Sequence, residues 1–280
     1  MSEEQEVVIE QLDSGRDKDV SARKKALLLG RLLGLASEQN YSPASQSLAE
    51  RAEHRARKQA AQCQANVETI YALALKYTPS DVVGNDPDPD WIYQFFAMAE
   101  QIHNRRMQEL WARILAHELT NPGNFSLRSL ETLKRLTWRE ALVLEKALGL
   151  SAQINGDTRL KLVSGYRLTG GLGQYFRKST AISLPLSQFG LPYSAILTLV
   201  EAGILHGSEF ETGELAPRQG LRFALPESEL TLTPKHSHLL LTYYRFTPVG
   251  DELAQLVKPR QDGAFVSGLK AVFARDFELN

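Results

Sequence analysis

The sequence predicts a mainly α-helical protein with a small α+β module in its C-terminal part. Between residues 44 and 149, apolar residues recur every three or four positions, which is the period of one face of a helix. After Leu150, glycines become frequent and short apolar runs alternate with turn residues. This change of pattern predicts a helical domain at residues 21–155, a connector at residues 156–181 and a second module at residues 182–257.

The first 20 residues are polar and acidic, so repulsion between carboxylates predicts a flexible tail. The next segment, which Ser21 can cap, is basic at its start and rich in leucine up to Leu35. Such a segment fits either an interfacial membrane helix or a short core helix. Because Gly30 and Gly34 weaken an isolated helix, the core helix is preferred and contact with a membrane surface is disfavoured.

A long helix is predicted at residues 44–77, beginning after Ser42 and Pro43. Small residues near its start would let a second helix approach closely. We therefore expect this helix to pair with the central helix or with the same helix of a second subunit. Self-association through residues 44–77 is the preferred prediction, beside a protein partner that the sequence does not identify. The alternating four- and three-residue steps of a coiled-coil seam are made by Ala56, Ala60, Cys63, Val67, Ile70, Ala74 and Tyr77.

A central helix is predicted at residues 90–119. The sequence Asp88-Pro89-Asp90 favours a helix start, because proline suits the first helical position and aspartate favours the positive end of the helix dipole. Asn121-Pro122-Gly123 would end the helix. Trp91 and Trp111 flank its apolar stripe, which consists of Ile92, Phe96, Ala99, His103, Met107, Leu110 and Ile114.

Two shorter helices are expected after this turn. Ser126 can cap a helix at residues 127–136. Thr137 can cap another at residues 138–149, with Glu140 in the position of a capping box and Gly149 at the end.

Residues 182–257 have the pattern of a winged-helix module. A short strand and helix are followed by a helix at residues 192–205, strands at 221–225 and 239–246, and a short helix after Thr247-Pro248. A final helix is expected in residues 258–280.

Charge argues against DNA binding by this module. DNA affinity comes largely from Lys and Arg side chains that replace phosphate counterions. Residues 181–257 contain four basic and eight acidic residues, and the candidate recognition helix at 193–205 has no Lys or Arg. The best candidates for nucleic-acid contact are instead on one basic turn of the long helix, at Arg51, Arg55, Arg57 and Lys58.

Composition favours a cytoplasmic protein. The 280 residues are 43% hydrophobic and have a formal net charge of −1, so no overall field attracts nucleic acid or acidic membranes. The first residues are acidic, and no apolar run reaches the roughly 18 residues that cross a bilayer. With a single cysteine, Cys63, the chain cannot form an internal disulfide.

Candidate reactive residues have simpler structural interpretations. Glu100 and His103 match half of a carboxylate-bridged di-iron site, but no second Glu-x-x-His occurs. His236 and His238 are an isolated pair, and Cys63 lies in an alanine-rich seam, which favours a structural thiol. The sequence therefore predicts no catalytic residue, no metal site and no cofactor.

Residues 111–141 resemble a signature shared by bacterial proteins of a domain family of unknown function, and residues 66–74 are similar to the same family. A shorter Trp…Ala-x-Glu pattern resembles the abortive-infection alpha proteins of phage defence. Because the family has no assigned activity, the resemblance implies architecture and no mechanism. The matching residues are Trp111, Ile114, Leu115, Ala116, Glu118, Pro122, Gly123, Phe125, Ser126, Leu127, Arg128, Leu130, Leu133, Glu140 and Ala141.

We expect a non-enzymatic protein that acts through protein contacts and self-association. The resemblance to abortive-infection alpha proteins implies a role in phage defence. A DNA-binding winged-helix regulator is the alternative, and an enzyme of unknown type is the second alternative. Glu118 and Arg128 are expected to pair across the Pro-Gly turn. The candidate structural and interaction residues are Trp91, Trp111, Glu118, Pro122, Gly123, Phe125 and Arg128.

Overall fold

The computed structural model describes residues 22–80, 86–170 and 181–280. The predicted tail at residues 1–20 and its neighbour Ser21 lie outside these ranges. The described chain forms two compact units. One contains residues 22–80 and 92–116, and the other contains residues 86–91, 117–170 and 181–280.

The described residues combine helices with two small antiparallel sheets, which confirms a mixed α+β fold that is largely helical. The helices are α1 (Ala22–Leu32), α2 (Leu48–Tyr77), α3 (Pro89–Ala99), α4 (Arg105–Thr120), α5 (Leu127–Arg135), α6 (Trp138–Gly149), α7 (Tyr193–Glu201), α8 (Pro248–Ala254) and α9 (Gly263–Phe273). The strands are β1 (Gln153–Ile154), β2 (Lys161–Leu168), β3 (Ala181–Ser183), β4 (Phe210–Glu211), β5 (Leu221–Ala224), β6 (Glu229–Pro234), β7 (Leu239–Arg245) and β8 (Phe277–Leu279).

Helix α2 begins at Leu48, four residues after the predicted start at residue 44. Residues Pro43–Ser45 form a separate 3-10 turn. The start is fixed by a capping box, in which the Ser47 hydroxyl accepts a bond from the Glu50 N–H and the Ser47 N–H donates to the Glu50 carboxylate. The prediction missed this box because Ser42-Pro43 gave an earlier and equally good start signal.

The predicted central helix at residues 90–119 is two helices, α3 and α4, so the prediction of one continuous helix is wrong. Trp91 lies on α3 and Trp111 on α4. Asn104 starts α4 by accepting bonds from the N–H groups of Arg106 and Met107. The amide of Asn66 donates to the carbonyl of Glu100, at 2.8 Å, and supports the break from α2.

The core of the first unit lies between the C-terminal half of α2 and the neighbouring helices. Ile70 and Ala74 of α2 are buried together with Phe95, Trp111 and Ile114. The rings of Phe95 and Trp111 lie 5.2 Å apart. Burial of these apolar side chains stabilises this unit.

Helices α5 and α6 match their predicted ranges of 127–136 and 138–149 closely. The Ser126 hydroxyl caps α5, and Thr137 forms the predicted capping box with Glu140. Gly149 is the last residue of α6, and Leu150 takes the cap position. Both helices belong to the unit that contains the sheets, so the division of the chain differs from the predicted helical domain at 21–155.

The predicted connector at residues 156–181 contains strand β2, so that prediction is wrong. Strand β2 pairs with β3 and β7 in a sheet of order β3-β2-β7-β4. Its glycine made the segment look like a loop. Gly165 has φ +154°, and a Cβ there would lie 2.1 Å from the Ile182 carbonyl oxygen, so this close strand pairing requires glycine.

The two strands predicted in the winged-helix module are present but do not pair with each other. Strand β5 belongs to a sheet of order β1-β5-β6-β8, and β7 to the other sheet. Strand β6 was not predicted, and the predicted C-terminal helix at 258–280 is α9 followed by β8. The short helix after Thr247 is confirmed as α8, with the Thr247 hydroxyl as its cap. In the described ranges, no helix is both long and apolar enough to cross a membrane.

Candidate interaction surfaces

Residues 118–128, which we call the signature turn, connect α4 to α5. Glu118 is buried, with 1% of its surface exposed, and one carboxylate oxygen accepts a 2.7 Å bond from the N–H of Gly123. Gly123 has φ +87°, which a side chain at this position would disfavour. The other carboxylate oxygen of Glu118 is buried and has no hydrogen-bond partner in the described chain. Glu118 therefore fastens the turn to the end of α4.

A tryptophan from the start of α3 holds the next part of the signature turn. The indole N–H of Trp91 donates a 2.7 Å bond to the carbonyl of Phe125, whose ring is almost completely buried. The rings of His117 and Phe125 pack at nearly right angles, with their centroids 6.0 Å apart. The backbone N–H of Trp91 donates a 2.9 Å bond to the carboxylate of Asp88, as the helix-start pattern predicted. A hydrogen bond to the backbone and a contact between two rings therefore hold this part of the turn in place.

The end of the signature turn receives a carboxylate from α8. One oxygen of Glu252 accepts bonds of 2.6 Å from the N–H of Ser126 and from the hydroxyl of Ser129. A carboxylate at the first turn of α5 also favours the positive end of the helix dipole. Sequence reasoning missed Glu252, because it lies 126 residues further along the chain and no local pattern connects the two segments.

Arg128 does not pair with Glu118, so the predicted ion pair across the turn is wrong. Arg128 is exposed on the first turn of α5, whereas Glu118 points inward to a backbone N–H. Pro122 is half-buried in the turn, and Trp111 is fully buried in the first unit. The indole nitrogen of Trp111 has no hydrogen-bond partner among the described residues.

The N-terminal half of α2 presents an apolar face to solvent. Asn66, Ile70 and Ala74, in the C-terminal half, are buried, whereas Leu48 at the start is 74% exposed. The described chain therefore covers the predicted seam only at Ile70 and Ala74, whereas Ala56, Ala60 and Tyr77 are exposed. We define the exposed α2 face as Leu48, Ala49, Ala52, Ala56 and Ala60, all of which are exposed.

The opposite side of the same half-helix is covered by the segment that follows α1. The ring of Tyr41 stacks on His54 at 3.7 Å. The ammonium group of Lys58 binds the carbonyl of Arg31 and the carboxylate of Glu38. His54 and Lys58 lie about 200° around the helix from Ala56, because each residue advances by about 100°. Among the described residues, nothing covers the exposed α2 face.

The four residues that were predicted as candidates for nucleic-acid contact differ in their surroundings. Lys58 is engaged by Glu38, and Arg57 lies 3.9 Å from Glu53 in an exposed ion pair. Arg51 and Arg55 are exposed. The four cations do not form one unneutralised patch, which weakens the case for phosphate binding.

The exposed side of α7, the candidate recognition helix, carries Tyr193, Ser194, Leu197 and Glu201. Ile196 and Leu199 face the core. A helix surface of aromatic, aliphatic and acidic residues is poorly suited to a polyanion and better suited to a protein surface.

His103, His238 and Cys63 lie on three different segments of the chain. His103 is exposed in the break between α3 and α4, and its Nδ1 lies 3.2 Å from the amide of Asn66. Nδ1 of His238 lies 3.2 Å from Glu214. Cys63 is half-buried, and its burial, with a smaller effect of Glu100, raises the pKa of the thiol. In the described ranges, no group of three His, Cys, Asp or Glu residues could hold a metal ion.

Asp251 is the carboxylate that best fits an enzyme, and sequence reasoning did not single it out. It is half-buried beside an open cleft lined also by Arg159, Gln153 and Gln255. Burial raises the pKa of Asp251, and one of its oxygens has no hydrogen-bond partner in the described chain. The described lining of the cleft includes Thr158 but no His, Ser or Cys.

A family model described as protein of unknown function (DUF2806) matches residues 50–270, and the chain belongs to this family. The predicted membership of a domain family of unknown function is thereby confirmed. No curated protein and no solved structure matches the chain.

Proposed function

We propose that this protein is a non-catalytic cytoplasmic interaction protein that self-associates through the exposed α2 face. This proposal depends on a contrast within α2: Ile70, Leu73 and Ala74 in the C-terminal half are buried, whereas Leu48 at the start is 74% exposed. A helix whose apolar stripe continues beyond its own core normally meets a second surface.

The distribution of other exposed apolar residues supports the same region. Of the thirteen large exposed hydrophobic residues in the described ranges, eight lie between Leu27 and Tyr77. Single exposed leucines are ordinary, but a concentration of them is typical of an interaction site. Three of the eight lie in the C-terminal half of α2, at Tyr71, Leu75 and Tyr77, and Leu48 begins the helix. The other four lie in or just after α1, at Leu27, Leu29, Leu33 and Leu35.

Sedimentation velocity of the full chain tests this proposal, with two alanine substitutions as a matched pair. Ala56 belongs to the exposed α2 face, whereas Ala61 is exposed about 140° away around the helix. Ala56→Glu would place a carboxylate in the interface and is expected to give a monomer. Ala61→Glu makes the same chemical change outside the face and is expected to leave the oligomer intact. A wild-type chain that sediments as a monomer at tens of micromolar would end the proposal.

A DNA-binding winged-helix regulator is the second candidate. It is favoured by the 3-10 turn Leu186–Phe189 and helix α7, which precede strands β4 and β7, and by β7 lying between β2 and β4. The excess of acidic residues in 181–257 and the lack of Lys and Arg on α7 argue against DNA binding by this module. A gel shift at low salt tests this candidate, and a chain that leaves DNA unshifted at micromolar concentration would remove it.

A role in phage defence rests on the sequence resemblance to abortive-infection alpha proteins alone. Plating a broad phage panel on cells with and without the protein tests it. Reduced plating that is lost with Ala56→Glu and kept with Ala61→Glu would join this role to the proposed self-association. Equal plating for every phage would remove the role and leave the self-association proposal unaffected.

A further inference from the structure

We propose that helix α1 binds the surface of an anionic lipid membrane and lies in the plane of the interface, with one exposed apolar stripe against the lipid chains. Helix α1 and the exposed α2 face are different surfaces, so lipid binding does not depend on the proposed self-association.

Helix α1 is not a core helix, although the sequence favoured that interpretation. None of the residues from Ala22 to Leu32 is buried. The leucines at positions 27, 29, 33 and 35, in and just after the helix, are between 45% and 60% exposed. Leucines that stay exposed together on one short segment are typical of a surface that meets a partner.

The C-terminal end of α1 is nevertheless fixed against α2. The carbonyl of Arg31 accepts a 2.8 Å bond from the ammonium group of Lys58. Gly34 has φ +70°, and a Cβ there would lie 3.1 Å from a ring carbon of His54 and 3.3 Å from the Cα of Arg55. This close approach favours glycine. The contacts at its end therefore hold α1 in place while its leucines remain exposed.

The exposed residues of α1 separate into an apolar stripe and charged borders. The N–H of Leu33 bonds to the carbonyl of Leu29 at 3.0 Å, so Leu33 continues the helical turn. With about 100° for each residue, four exposed apolar residues lie within about 60° of one another, and Lys25 and Arg23 lie about 40° and 60° beyond the two edges. We define the α1 stripe as Ala22, Ala26, Leu29 and Leu33.

The charge of this segment selects an anionic partner. Glu38, the first carboxylate after α1, is already bound by Lys58. Lysine and arginine at the border of an apolar helix face can reach lipid phosphates while their carbon chains cover apolar surface. Residues 22–37 contain no acidic residue and four exposed basic residues, Arg23, Lys24, Lys25 and Arg31.

The residue types of this segment favour lipid over protein or nucleic acid. Protein interfaces are enriched in aromatic residues and depleted of lysine, whereas residues 22–37 contain two lysines and no aromatic residue. A nucleic acid would use the cations but gain nothing from a leucine stripe. An anionic membrane uses both, because leucines enter the boundary of the acyl chains and each nearby Lys or Arg adds attraction.

Flotation of the full chain with lipid vesicles tests this proposal. Vesicles of phosphatidylcholine alone are compared with vesicles of phosphatidylcholine and phosphatidylserine. We expect the chain to float with the mixed vesicles, to float less as salt is raised, and to stay behind with phosphatidylcholine alone. A chain that floats with neither kind of vesicle, or equally with both, would overturn the proposal.

Two leucine substitutions form a matched pair, because Leu29 and Leu142 are both 45% exposed. Leu29 belongs to the α1 stripe, and Leu142 lies on α6. Leu29→Glu removes an apolar side chain from the lipid and adds a negative charge, so it is expected to weaken binding to the mixed vesicles by roughly tenfold. Leu142→Glu is expected to leave binding unchanged. Circular dichroism should show the wild-type fold for both chains, because neither leucine is buried.

The leucine pair can contradict the proposal in two ways. A Leu29→Glu chain that binds the mixed vesicles as the wild type does would place the lipid-binding surface elsewhere. Equal losses in the Leu29→Glu and Leu142→Glu chains would show that added negative charge alone weakens binding. Either result would overturn the assignment to α1.

Two arginine substitutions test the role of charge. Arg23 and Arg139 are both exposed, so Arg23→Gln and Arg139→Gln remove the same charge from different places. Arg23→Gln is expected to weaken binding to the mixed vesicles by roughly fivefold, and Arg139→Gln is expected to have no effect. Binding that is lost with Arg23→Gln but kept with Leu29→Glu would indicate a site for polyanions in general and would overturn the lipid assignment.

The acidic residues that precede α1 provide a test in the opposite direction. Seven Asp and Glu residues lie between Glu3 and Asp19, and their charge opposes attraction to an anionic surface. A chain that lacks residues 2–19 is therefore expected to bind the mixed vesicles more tightly at low salt. Weaker binding by the shortened chain would overturn the proposal.

Discussion

The signature turn and the exposed α2 face differ in where their side chains find partners. In the signature turn, the ring of Phe125 is buried, and Trp91 and Glu118 bond to backbone groups of the same chain. The exposed α2 face carries Leu48 and four alanines that the described chain does not cover. The most recognisable stretch of the sequence therefore stabilises the fold, and the proposed interaction surface lies in a helix with no distinctive motif.

The largest expected effect tests whether the signature turn stabilises the fold. Phe125→Ala removes a buried ring and is expected to lower the free energy of unfolding by about 3–5 kcal/mol. Leu127→Ala, two residues further along the same signature, is the control because Leu127 is 40% exposed, and it is expected to cost about 1 kcal/mol or less. Urea unfolding followed by circular dichroism measures both. Equal losses would mean that the signature turn is not organised around Phe125.

A smaller effect is expected from Glu118, because its contribution is a hydrogen bond. Glu118→Ala leaves the Gly123 N–H without its acceptor and is expected to lower the free energy of unfolding by about 1–3 kcal/mol. Glu118→Gln keeps an oxygen for this bond and is expected to retain most of that stability. A glutamine variant as unstable as the alanine variant would show that Glu118 acts through its charge instead of through this bond.

The smallest effect concerns pH. Asp262 caps α9 and bonds to Lys146 at 2.7 Å, and the bond to Lys146 lowers the pKa of this carboxyl below its ordinary value of 3.8. Because the pKa is lower in the folded chain, the stability it contributes is present above the ordinary pKa and is lost as pH falls through the folded value.

Asp262→Asn should therefore reduce the acid-induced loss of stability while keeping a side chain that can cap α9. Urea unfolding of both chains over a pH series from neutral to below the ordinary aspartate pKa measures this. Parallel stability profiles for wild type and variant would contradict the assignment of the pKa shift to the Lys146 contact.

Local signals predicted helix starts well and contacts between distant segments poorly. The capping box of Thr137 and Glu140 and the cap at Thr247 could be read from a few adjacent residues. The break between α3 and α4 could not, because helical apolar spacing continues through residues 99, 103 and 107 and because Asn66, which supports the break, lies on α2.

The sheets show the same limit. Strand β2 was taken for a connector because Gly165 weakens its strand pattern, and the need for that glycine appears only when β3 is beside it. Strands β5 and β7 were predicted individually, but their placement in different sheets depends on β1 and β2. For the candidate surface, the apolar seam of α2 could be predicted from the spacing of its residues. The sequence did not show which part of this seam the chain itself covers.

Amide hydrogen exchange of the full-length protein at two concentrations, well below and well above the dissociation constant of the oligomer, tests the central claim most directly. We predict that exchange slows with concentration around Leu48, Ala52, Ala56 and Ala60, while the half of α2 around Ile70 and Ala74 is unchanged because its apolar side chains are already buried. Concentration-dependent protection confined to other segments, with no change around Ala56, would contradict the account.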